Sequence, residues 1–229
     1  MNSASRIPEI DLLRVAALIL MILYHLFYDL DTFTQVSFKS DILVWMMVVA
    51  KLAAFLFIFL SGISSNLSRN PIHNGITLLF WALLISLITS IALPETYVRF
   101  GILHFLACML LLYPIFQRSS TTFLIIFALV SISLGFYFKN IHGIGPWLIP
   151  LGIMYPGFKS IDYFPVFPYS GLFVFGILFY RFRFAGFTNS STYSFPPIIE
   201  KMSRHSLLIY LLHQPILLLI LFIFQKAKA

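Results

Sequence analysis

The sequence predicts an all-α fold: a polytopic membrane helix bundle of about seven transmembrane helices, with a re-entrant or interfacial segment at 139–162. Three observations predict it. Of 229 residues, 60% are apolar and only 10% are charged, where a soluble domain carries roughly a quarter charged residues. Mean hydropathy is strongly positive, at +0.94. The apolar residues also fall in long blocks, and about 20 in a row suffice to cross a hydrocarbon core of roughly 30 Å. The single cysteine, Cys108, excludes a disulfide framework and a cysteine-built metal site. A net charge of +7, scattered along the chain, offers no nucleic-acid surface. The chain reads as one domain, 1–229.

The blocks run near 10–30, 43–66, 75–93, 99–116, 121–138, 164–182 and 205–224. The first is too long, and lacks the small-residue cleavage site, for a removed signal peptide. The second ends in Leu60-Ser61-Gly62-Ile63-Ser64-Ser65-Asn66, where small residues let a helix or a ligand approach the backbone closely. Turn chemistry separates the next three: Arg69-Asn70-Pro71, Leu93-Pro94-Glu95 and Gln117-Arg118-Ser119-Ser120. Between 139 and 162 the apolar stretch Pro146-Trp147-Leu148-Ile149-Pro150-Leu151 is broken by prolines, so it reads as interfacial rather than spanning. The Ser/Pro stretch Thr188–Pro197 follows the sixth block, and Pro215 kinks the seventh, freeing backbone carbonyls. With the N-terminus in the cytoplasm, eight Lys and Arg fall at inner ends against six at outer ends, which sets the orientation in the cell membrane.

An ionisable side chain at bilayer depth is expensive, so it faces the bundle interior and marks a site. The first block carries the densest set: Asp11, Arg14, His25 and Asp29. At about 100° per residue Arg14 and His25 project within roughly 20° of each other, about 16 Å apart along the axis. Asp29, four residues after His25, stacks a carboxylate beside the imidazole. A histidine so paired is a general base whose tautomer the carboxylate fixes; the competing reading is a packed histidine bonded to a backbone carbonyl. Lys51 lies at a similar depth, either functional or snorkelling to the headgroups. His104 and His213 reach the same level, as site residues or as interhelical hydrogen-bond partners. Asp162 opens the sixth block. At the inner mouth Ser61, Arg14, Arg69 and Arg181 with Arg183 suit a phosphorylated ligand. No nucleotide-binding glycine motif is present.

Arg14 and His25, with ten residues between them on the first block, resemble the signature of membrane acyltransferases that acetylate surface glycans. Glu9-Ile10-Asp11-Leu12-Leu13-Arg14, Phe57-Ile58-Phe59-Leu60-Ser61-Gly62, Phe100-Gly101-Ile102-Leu103-His104, Asp162-Tyr163-Phe164-Pro165 and Ser206–Pro215 resemble, more specifically, small prokaryotic relatives of the heparan-alpha-glucosaminide N-acetyltransferase catalytic domain. The resemblance implies transfer of an acetyl group from cytoplasmic acetyl-CoA, without a metal, to a hydroxyl or amine of an extracytoplasmic sugar or lipid acceptor. It implies His25 as the catalytic residue, Asp29 orienting it and Arg14 on the acyl-CoA donor; depth adds His104 to the catalytic candidates, and the inner mouth adds Ser61, Arg69 and Arg181 to the donor site. Lys51, Asp162 and His213 are left to the acceptor. Membrane lipid and a second copy, as a homodimer, complete the expected partners. The same polar cluster also fits a proton-coupled transporter or a non-catalytic membrane subunit.

Overall fold

The computed structural model describes residues 7–34, 36–184 and 195–228. Helices occupy all seven apolar blocks: α1 (Pro8–Phe33), α2 (Ser40–Ser65), α3 (Pro71–Ala92), α4 (Ile102–Arg118), α5 (Thr121–Phe138), α6 (Val166–Phe184) and, after the short α7 (Pro197–Arg204), α8 (Ser206–Lys228). Local chemistry sets the ends. Pro8 and Pro71 sit in first turns, where the missing N–H is no loss. Ser120 caps α5, its Oγ accepting from the Phe123 N–H at 3.2 Å. The helix α7 lies beyond the Ser/Pro connection, where the sequence shows no element. Two prolines open it and a Glu200–Arg204 pair spans its turn, and eight residues are too few to display a helical period.

Among the described residues, α1, α2, α3, α5 and α8 are long and apolar enough to cross a membrane. The expected count of about seven meets two shorter helices. At 1.5 Å per residue α4, with 17 residues, reaches about 26 Å. In α6, Phe167 leaves helical geometry (φ −103°, ψ 127°), as a residue preceding proline tends to, so the regular helix starts only after it. Residues 139–162 carry no long helix. Their apolar centre is a six-residue 3-10 helix, Pro146–Leu151, flanked by isolated bridges from His142 to Met154 and from Phe100 to Tyr163. It is far too short to span.

The described residues form two compact units, those within 1–57 and 188–229 and those within 58–187. In the first, α1 packs on α7 and α8, burying Ile10, Val15, Ala17 and Leu18. In the second, α3 packs on α4, α5 on α6, and α4 on α6 around Phe105, Met109, Phe173 and Ile177. The end of α2 crosses α6 in this unit at two glycines. A Cβ on Gly62 would stand 2.0 Å from the Phe173 carbonyl oxygen, and one on Gly176 2.2 Å from that of Phe59. The close approach expected at Ser61–Asn66 is thus made by a helix.

Candidate active site

In the first unit α8 brings His213 to His25 on α1. The ring centroids are 4.8 Å apart and the planes meet at 61°. Tyr24 packs edge-on against His25 at 5.2 Å, and among the described residues His25 makes no hydrogen bond. The Nδ1 of His213 lies on the Tyr210 carbonyl oxygen. A carbonyl only accepts, so Nδ1 carries the proton and Nε2 bears a lone pair. That Nε2 is shut off from solvent with no hydrogen-bond partner. The pair therefore offers an unused proton acceptor beside a second imidazole, inside the apolar part of the chain.

Asp29 departs from its expected place. Fully buried, its carboxylate accepts from Gln214 Nε2 at 2.9 and 3.0 Å, so it is held by α8 rather than by the imidazole one turn away. A buried carboxylate needs a donor, and the Gln214 amide supplies two contacts to it. Lys51 is exposed on α2 with no side-chain partner among the described residues, as the snorkelling alternative expects. Arg14 donates to Ser203 Oγ at 2.7 Å and stands 3.5 Å from Asp11. Ser203 in turn donates to Asp11 at 2.6 Å. This triangle ties α1 to α7 and leaves the Arg14 side chain 22% exposed.

The expected residues of the second unit have local tasks. His104 Nδ1 accepts from the Gly101 N–H at 3.2 Å, so Nε2 carries the proton toward Ser86 Oγ at 3.3 Å. Ser86 passes its own proton to the Val98 carbonyl at 2.6 Å. Both ring nitrogens are thereby occupied in starting α4. Asp162 accepts from the Ile102 N–H at 3.0 Å at the same helix start, which a carboxylate favours. Burial pushes its carboxyl up to about 6, against the opposing pull of that N–H. Burial likewise raises the phenol of Tyr163 to about 12, with Tyr169 adding to it. Arg181 spends its guanidinium on the other end of α4, donating to Phe116, Gln117 and Ser119 carbonyls at 2.8–3.0 Å. The orphan carbonyls of a helix end explain its place better than a phosphate does. Arg69 is exposed just past α2, and Ser61 is half-buried beside the Gly62 crossing.

Sequence reasoning passed over Gln214, Ser203 and Ser86. Gln214 lies in a quoted motif, yet only the fold shows it facing Asp29. Ser203 has no period to announce it. Among the described residues, no group of three or more His, Cys, Asp or Glu side chains is arranged to hold a metal ion.

Comparison with known proteins adds one finding. A family described as "Heparan-alpha-glucosaminide N-acetyltransferase, catalytic" matches residues 6–215, nearly the whole chain. No curated protein and no solved structure matches.

Proposed function

The chain belongs to the heparan-alpha-glucosaminide N-acetyltransferase catalytic family, and on that premise we propose that it carries an acetyl group from cytoplasmic acetyl-CoA to an extracytoplasmic acceptor. The acceptor supplies a hydroxyl or amine from a sugar or lipid. In this reading all seven long helices cross the cell membrane, α4 and α6 included, with the N-terminus in the cytoplasm. The observation that carries the chemistry is the His25–His213 pair with its free, buried Nε2.

The acceptor oxygen or nitrogen attacks the thioester carbonyl while His25 takes its proton and hands it to the free Nε2 of His213 beside it, which then carries the positive charge. Tyr210 steadies that charge through its carbonyl on Nδ1. Collapse of the tetrahedral intermediate breaks the carbon–sulfur bond, and the departing thiolate takes the proton back from the imidazole. Arg14, on the same helix and partly exposed, faces the donor's phosphates. Asp29 and Gln214 hold α1 and α8 in the register that keeps the two rings together. Arg181, Asp162 and His104 serve the second unit's helix ends.

Two measurements test the proposal. Acetyl-CoA raises the Tm of the detergent-purified chain, because a ligand selective for the folded state stabilises it. His25→Ala abolishes release of free CoA thiol in the presence of acceptor while keeping that Tm shift. No shift with acetyl-CoA, or undiminished turnover in the variant, would sink the reading.

A further inference from the structure

Within the second unit, the loop between α3 and α4 holds a cation that nothing in the proposed transfer uses. Three rings surround the Arg99 guanidinium, with Tyr97 at 4.3 Å and Tyr155 and Phe158 each at 5.9 Å from its central carbon. Its backbone N–H is tied to Ser160 Oγ at 3.3 Å, so the side chain has a fixed root. No carboxylate pairs with it among the described residues, and its Nε is buried without a hydrogen-bond partner. Aromatic faces attract a cation but give its N–H donors nothing to bond. A buried donor left unmade is costly, so the arrangement is complete only with an acceptor.

Space for one adjoins it. A cavity of about 620 Å³ is lined by Arg99, Tyr155 and the Gly143–Pro146 turn. A second, of about 280 Å³, shares Arg99 and Pro146 and reaches Tyr97 and His104. Neither lining contains an acidic side chain, so Arg99 sets the sign of what enters. Two large apolar side chains on the same connection, Ile144 and Trp147, are almost wholly exposed, at 105% and 87%. In a membrane chain such residues belong at the lipid–water boundary.

We infer that Arg99, its aromatic cage and the adjoining cavity form a binding site for a phosphate-type oxyanion carried at the membrane surface. The guanidinium fork matches phosphate oxygens in pairs. The phosphate sits against Arg99 and Tyr155, and the apolar part of its carrier follows Ile144 and Trp147 toward the lipid. This site stands independently of acetyl transfer.

The test uses the full chain in detergent and follows Tm with three probes: inorganic phosphate, dioctanoyl-phosphatidylglycerol and dioctanoylglycerol. The phospholipid raises Tm and dioctanoylglycerol does not. An equal rise with inorganic phosphate at the same free concentration assigns the site to the free ion, and a smaller one assigns it to the lipid-borne group; either supports an oxyanion site. Arg99→Gln weakens the binding at least about tenfold, the size of one lost charge-assisted contact. Arg99→Lys, which keeps the charge but not the planar fork, weakens it less. No rise with either phosphate probe, an equal rise with dioctanoylglycerol, or unchanged affinity in both variants would overturn the inference.

Discussion

His213 and His104 are each held by a backbone group three residues away, and they differ in what remains. In the first unit His213 gives Nδ1–H to a carbonyl and keeps a free Nε2 lone pair. In the second, His104 receives an N–H on Nδ1 and points Nε2 at Ser86. One ring has spare chemistry and the other has none. Neighbouring motifs rank the two alike; the hydrogen-bond inventory separates them. The same contrast runs through the cations, since Arg181 is spent on three carbonyls while the Arg99 Nε bonds nothing.

The strongest way to break that comparison is His213→Phe, which keeps a ring against His25 and deletes the free nitrogen. Turnover should fall by about 10²–10⁴-fold, the usual worth of a positioned acid–base group, in an assay of CoA thiol release. A variant within a few-fold of the parent would make His213 a packing residue. His104→Phe should do the reverse. It strands the Gly101 N–H and lowers stability by about 1–3 kcal/mol, read as a lower Tm, while turnover per folded molecule stays within about tenfold.

Smaller effects sharpen the picture. Ser203→Ala removes the hydroxyl between Asp11 and Arg14, for a loss of about 1 kcal/mol measured by thermal or denaturant unfolding. An unaltered midpoint would show that the triangle contributes nothing to joining α1 and α7. Asp162 provides a pH-dependent signal. Its folded carboxyl titrates near 6 against an ordinary 3.8, so the folded state holds the proton more tightly. Its contribution is present in full below the ordinary value and is lost as pH rises through about 6. Tm should therefore show a falling component across that window, and Asp162→Asn should remove it; an identical pH profile would assign the slope elsewhere.

Much of this was legible early. Block length located seven helices, because crossing lipid demands a run that needs no partner to be recognised. The prolines of 146–151 argued correctly against a span there. Arg14, His25 and His213 stood out because charge or imidazole in an apolar run has few explanations. Asp29 was misjudged in its partner, since helical spacing shows what can meet on one helix and nothing about a rival from another. Gln214 supplied that rival. Arg181 and Asp162 are engaged at the ends of α4, a use spacing could not show, since a helix end asks for a charged cap as strongly as a ligand does.

The sequence by itself determined that this chain is helical and apolar enough for a membrane, and the order of its motifs indicated its family. Those follow from composition and local spacing, which are properties of one segment at a time. Tertiary structure alone decided which nitrogen of each histidine is free, which carboxylate is satisfied and which cation lacks a hydrogen-bond partner. These depend on groups as far apart in the chain as Asp29 and Gln214, and hydrogen bonding is too short-ranged and directional for spacing along one helix to foretell it.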